Sequence, residues 1–235
     1  MSPVKTAFLR GLWSALTFML VLGPIGVLFG VVATEAGLDL LEVMGFSIIV
    51  IAGAAQFAAV QMLSDHAPTL IVLATSLAVN LRMAMYSASL TPHLGRLPLG
   101  LRALAAYGLV DQTFAAAMID YDRRPDQSPR EKAAFFFGTV LPICPLWYLA
   151  TYAGARIGTA IPPEYALDFA VPLTFLAMIA PLLRTLAHIA AAGVSIALSL
   201  ALAFIPFNGG LLIAAATAMV TGALIEARTE RRQAR

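Results

Sequence analysis

Apolar residues fill this chain in windows of about twenty, separated by short polar or turn-forming stretches. That length matches the roughly 20 residues a helix needs to cross a hydrocarbon core about 30 Å thick. The windows fall at about 12–33, 45–63, 69–90, 101–119, 132–157, 165–183, 185–206 and 209–226. They predict an all-α, polytopic integral membrane protein: one transmembrane domain over residues 1–235, with about eight helices and Gly/Pro-interrupted spans. The fourth window is the weakest, because Asp111 and Gln112 lie at its centre. Six crossings remain open if two segments dip in and return.

Two windows carry proline near their middles: Gly23-Pro24 in the first, Pro142 and Pro145 in the fifth. Proline removes a backbone donor and clashes with the preceding turn. In a four-plus-four division these windows correspond, and paired broken helices point to a transporter binding site. Ordinary kinks stabilised by neighbouring helices are the competing reading. The halves show no convincing residue-level repeat.

Composition narrows the class further. Hydrophobic residues make up 60% and charged residues 12%, against about 25% charged in soluble domains. No polar segment is long enough to fold as a soluble enzyme. The lone Cys144 excludes an internal disulfide and lies in an apolar run. Lys5 and Arg10 lead straight into a spanning window, without a cleavable signal pattern. The net charge of +2 leaves no nucleic-acid footprint. With eight crossings, 11 of the 15 basic residues share one face: the N-terminus (1–11), the 120–131 loop with Lys132, Arg184 and the tail (227–235). Arg96, Arg102 and Arg156 fall on or near the other. The positive-inside rule makes the rich face cytoplasmic, which places both termini there. The first outer loop, TEAGLDLLE, is acidic.

Inside these windows sit polar residues that lipid cannot satisfy. A charge at bilayer depth costs roughly 2.5–3.5 kcal/mol on insertion scales, so such residues are default candidates for a transport pathway. Gln56 lies in IAGAAQF, beside the small Gly53, Ala54 and Ala55; either its amide bonds to another helix or it faces substrate. Asn80 and Arg82 point to nearly opposite sides of a regular helix, and Tyr86, four past Arg82, shares its face. Arg82 cannot be neutralised by losing a proton; Asp111 is its obvious partner. The pair either fixes two helices together or exchanges partners, with Arg82 taking a substrate carboxylate and Asp111 a proton or the substrate ammonium. Gly23, Gly26 and Gly30 either pack helices closely or, with Pro24, open a half-helix whose free N–H groups suit a carboxylate. Gly23, Pro24, Gly26, Gln56, Asn80, Arg82 and Tyr86 are the candidate substrate-binding residues, and Asp111 the candidate proton-coupling residue. His188 reads as an edge residue or a proton relay. HExxH, Walker A and G-x-S-x-G are absent. His66, His93 and His188 lack metal-ligand spacing, and no cofactor is called for.

GPIGVLFG, AGAAQF, NLRMAMY and LVDQTFA, in this order over roughly residues 20–120, resemble the AzlC family. Its members are large subunits of bacterial branched-chain amino acid exporters. The family often has an Asp-Glu pair where this chain has Asp111-Gln112, and a histidine where it has Met83. The resemblance implies a multi-pass permease of the bacterial inner membrane. It implies proton-coupled export of branched-chain amino acids, with methionine a further candidate, together with a small AzlD-like hydrophobic membrane subunit. Residue chemistry alone supports only a polytopic protein with an embedded polar pathway in the lipid bilayer. Two other readings stand beside it: an intramembrane enzyme acting on a lipid, and a passive channel or assembly subunit.

Overall fold

A computed structural model describes residues 2–160, 183, 185–205 and 209–233. The sixth apolar window, apart from Leu183, lies outside the described residues, as do Arg184 and Asn208. The described chain runs α1 (Pro3–Glu35), α2 (Leu40–Ile49), α3 (Gly53–Ser64), α4 (Thr69–Leu94), α5 (Leu99–Tyr107), α6 (Asp111–Arg123), α7 (Pro129–Gly158), α8 (Leu186–Ala201) and α9 (Gly209–Gln233). No strand occurs among the described residues, and the expected all-α membrane architecture holds.

Of these, α1, α4 and α7 are long and apolar enough to cross a membrane. At 1.5 Å per residue, the 33 residues of α1 and 30 of α7 reach roughly 50 and 45 Å. Both start on a Ser-Pro step. Ser2 and Ser128 cap by accepting from the backbone N–H three residues on, and Pro3 and Pro129 occupy the first turn, where no donor is lost. Glu131 closes a capping box on Ser128 (2.8 Å).

α1 and α7 lie side by side and parallel. A Cβ on Gly11 would strike Phe135, one on Gly26 would meet Ala150, and one on Gly30 would overlap the Thr151 carbonyl. Contacts therefore advance together along both helices. Small residues are what let two backbones approach this closely where lipid is as apolar as any side chain. Phe29 and Trp147 stack beside this seam, with ring centroids 6.3 Å apart.

The prolines do not break their helices: α1 runs unbroken through Gly23-Pro24, and α7 through Pro142 and Pro145. That corrects the half-helix expected at Pro24. Breaks occur instead in the second window, at 50–52, and in the fourth, at 108–110. A glycine opens α3 and another ends α5, so the signal was glycine within an apolar run rather than proline.

Neighbours along these segments show that each turns back on itself. α2 begins beside the C-terminal end of α1 and descends, with Ser47 donating to Thr151 (2.9 Å). α3 starts against Trp147. It then climbs again, so that Phe57 meets Phe29 edge-on (5.4 Å) and Met62 packs with Val72 at the start of α4. α4 then runs the full depth, ending where Lys132 donates to His93 Nδ1 (3.2 Å). α5 rises from that end until Gly108 faces Val140. α6 descends again, and Tyr121 donates to the Lys132 carbonyl (2.8 Å). Two helical hairpins thus enter from opposite faces between the three crossings. Their tips touch, because the Tyr107 hydroxyl donates to the Ile48 carbonyl (2.6 Å) and meets the Tyr148 hydroxyl (2.7 Å).

Two hairpins in place of two of the eight expected crossings correspond to the six-crossing alternative. Replacing two crossings by two hairpins leaves parity unchanged, so both termini still share a face. It also moves Arg96 and Arg102 to the basic side, raising its share from 11 to 13 of the 15 basic residues. Positive-inside bias favours that arrangement.

Two measurements check this architecture. In a Cys144→Ala background, His66→Cys should react with a membrane-impermeant maleimide from outside the cell, and Arg96→Cys only from the cytoplasm. Eight crossings require the reverse pattern. Separately, a Cβ at Gly154 would overlap the Val27 carbonyl, whereas one at Gly23 meets nothing within 4 Å. Gly154→Ala should lower the melting temperature in detergent by about 5 °C or more, from roughly 1–3 kcal/mol of overpacking. Gly23→Ala should leave it unchanged or raised.

Candidate functional site

The hairpin tips meet the midpoints of the three crossings, and a cavity forms there. It is lined by Leu22 and Ile25 of α1, Arg82 and Met83 of α4, and Ile143 and Trp147 of α7. The tips contribute Ile51, Ala52, Gly53 and Ala54 from one side, and Val110, Asp111 and Gln112 from the other. The free volume is about 70 Å³, room for about two waters at ~30 Å³ each. That is less than an aliphatic amino acid needs.

Across it, Arg82 Nη2 reaches Asp111 Oδ2 at 3.1 Å. The expected pair is therefore formed, with side chains 28% and 39% exposed. Tyr86 sits beside the Asp111 carboxylate and stacks flat on Phe114 (4.1 Å between centroids). That stack holds α4 against α6 one turn from the ion pair.

The pair leaves polar atoms over. Arg82 Nε, Asp111 Oδ1 and Trp147 Nε1 are buried without a hydrogen-bond partner, and all three residues line this cavity. A buried unpaired donor or acceptor costs about 1–3 kcal/mol, and three of the seven such side-chain atoms among the described residues gather around this one cavity. The helix ends add to this. α1, α2 and α7 are capped by side chains; α3, α4, α5 and α6 are not, and of these α3, which follows Ala52, and α6, which follows Val110, start at the cavity. Each therefore points uncapped first-turn N–H groups and the positive end of its dipole toward the cavity. At α6 Asp111 itself answers that charge; at α3 the first turn is Gly53, Ala54 and Ala55, with nothing anionic.

The other expected residues lie elsewhere. Gln56 is fully buried behind the tip, its Nε2 donating to Ser47 Oγ (3.4 Å) in a chain that continues to Thr151. That is the interhelical hydrogen bond, and it braces α2 against α3. Pro24 is exposed, Gly23 meets open space, and Gly26 packs on Ala150 and Trp147. Asn80 keeps an unpartnered Oδ1 but does not line the cavity. Unforeseen were Trp147, Tyr107 and Tyr148. Trp147 carried one readable signal, an indole donor near the middle of an apolar window.

With the geometry in place, the chain can be set against known proteins. The family model described as "AzlC protein" matches residues 17–161, which contain all seven helices around the cavity apart from the start of α1. The chain belongs to the AzlC family. Its relatives include the inner membrane protein YgaZ of Escherichia coli strain K12, 30% identical over 76% of this chain and 74% of that one. A membrane protein of Archaeoglobus fulgidus is 28% identical over 90% of this chain and 91% of its own. One from Helicobacter pylori strain 26695 is 30% identical over 57% of each. No solved structure matches the chain. AzlC membership makes this a membrane protein with a role in transport.

The pairing across the cavity is open to direct measurement. A double-mutant cycle with Arg82→Ala and Asp111→Ala should give a coupling of about 1 kcal/mol in detergent, modest because both groups are partly exposed. Strictly additive effects would mean that the two side chains do not interact.

Proposed function

We propose that this AzlC protein is the large permease subunit of a proton-coupled exporter of branched-chain amino acids, and that the mid-depth cavity is its substrate site. The observation that carries the reading is the set of unpartnered polar atoms on an otherwise aliphatic wall. A free amino acid offers a carboxylate, an ammonium and a side chain. The carboxylate suits the Arg82 fork, the Trp147 indole N–H and the uncapped start of α3. The ammonium suits Asp111. An aliphatic side chain suits Leu22, Ile25 and Ile143. No other part of the described protein offers these three chemistries within one cavity.

Coupling follows from competition. Substrate entering the site draws Arg82 from Asp111, and its ammonium displaces the proton that the freed carboxylate would otherwise hold; after the substrate leaves, a proton or Arg82 takes its place. One two-state element then links proton and amino acid, as coupled transport requires. A small AzlD-like subunit completes the permease, the reading supported by AzlC membership. Methionine fits the same aliphatic wall, which discriminates poorly among similar chains because one methylene is worth only about 1–3 kcal/mol.

The decisive measurement is leucine efflux from preloaded vesicles under an imposed pH gradient, with and without the small subunit. Arg82→Lys keeps the charge but loses the planar fork; it should insert normally and export at a tenth of the rate or less. Asp111→Asn should lose the response to the pH gradient while retaining exchange at equal pH. Full export by a well-expressed Arg82→Lys variant removes Arg82 from carboxylate binding. An unchanged pH response in the Asn variant places coupling elsewhere.

A further inference from the structure

A second and larger cavity lies at the cytoplasmic end, away from the transport site, between α1 and α6. Its volume is about 560 Å³. Three guanidinium groups line it, those of Arg10, Arg123 and Arg124, against one carboxylate, Asp120. That leaves an excess of two positive charges.

Asp120 is the organiser of this cluster. It is 5% exposed. It accepts from Arg10 Nε (3.5 Å) and Nη2 (3.3 Å), from Gln127 Nε2 (2.8 Å), and closely from Arg124. Its lone pairs are thus spent on fixing two arginines in place, and each guanidinium keeps donors beyond those it gives to Asp120. Arg123 is exposed and forms no ion pair among the described residues. The result is a preorganised cationic bowl whose own acid is already consumed.

The walls below the bowl are apolar. Trp13 is 69% exposed and Ile119 53% exposed, both facing outward where the cavity opens between the helices. Leu16, one turn further along α1, is also exposed. An exposed tryptophan one turn from a ring of arginines is the pattern found at the headgroup level of a bilayer. Cationic pockets between membrane helices on the cytoplasmic side take phosphate headgroups, with chains running down the apolar wall. Cationic cluster, interfacial tryptophan and apolar wall are in register here.

We infer that this cavity binds the phosphate headgroup of an anionic phospholipid, with an acyl chain along Trp13 and Ile119, and that Arg123 and Arg124 are its principal phosphate contacts. The bound lipid bridges α1 and α6. The site is independent of the transport reading, since it shares no residue with the mid-depth cavity.

The test is lipid binding to the purified full chain in a zwitterionic detergent, read by native mass spectrometry and by melting temperature. Phosphatidylglycerol should bind and raise the melting temperature; phosphatidylcholine and inorganic phosphate should do neither. Arg123→Gln, a change at an exposed side chain without an ion pair, should weaken phosphatidylglycerol binding about fivefold, the loss of roughly 1 kcal/mol per basic contact. Trp13→Ala should weaken it as well. Arg130→Gln, in the first turn of α7 and outside the cavity, should not. Equal binding of phosphatidylcholine, equal stabilisation by inorganic phosphate, or equal weakening by Arg130→Gln would overturn the proposal.

Discussion

Backbone outside a helix is tolerated at bilayer depth only where protein covers it, because lipid offers no partner for an N–H or a carbonyl. This fold puts two such stretches, 50–52 and 108–110, at the middle of the membrane. The architecture follows from that constraint. The parallel, glycine-lined seam of α1 and α7 supplies a wall on which both tips rest, with Trp147 under one and Val140 under the other. Tyr107 donates to the Ile48 carbonyl, a group at the end of α2 that has lost its helical donor. The price of breaking two helices in lipid is offset by packing and hydrogen bonds, and what remains uncompensated faces the cavity.

Seen this way, the site and the packing have one origin. Of the glycines that the sequence offered as substrate contacts, Gly26 serves the seam and Gly23 meets open space, while the polar amide that invited the same reading, Gln56, braces one hairpin. Arg82 and Asp111 differ in where their unpartnered atoms lie: Gln56 also keeps a buried Oε1 without a partner, but it stands behind the tip, whereas Arg82 and Asp111 line the cavity. Trp147 belongs with them on the same ground.

The amino-acid pattern disclosed the helical class, the apolar windows, the side on which basic residues gather and the Arg82–Asp111 pairing. Each rests on local composition or on a charge that can be answered in few ways. Window length says nothing of direction. A span of nineteen apolar residues reads alike whether it crosses or turns back midway, which is why 45–63 and 101–119 passed as crossings. Proline was the wrong marker of a break: Pro24, Pro142 and Pro145 sit in helices held by a long seam. The shorter elements with fewer neighbours broke instead, at Gly53 and Gly108. Trp147 stayed hidden because an aromatic residue in an apolar run is ordinary until its indole is seen without a partner.

α6 is short and straight-through, thirteen residues with an aspartate near each end, Asp120 buried and Asp111 half-buried on the opposite side of the helix. Asp111 opens it at mid-depth, and Asp120, nine residues on, ties it to Arg10 of α1. The two carboxylates are about 13 Å apart along one rigid rod. A rod pinned at one end pivots; it does not slide. Motion that frees Asp111 from Arg82 therefore becomes a swing about the Arg10–Asp120 anchor, and α5, joined to α6 through Gly108, must swing with it. On the proposed mechanism the cytoplasmic hairpin is a hinged door whose pin is the Arg10–Asp120 pair and whose latch is the Arg82–Asp111 pair.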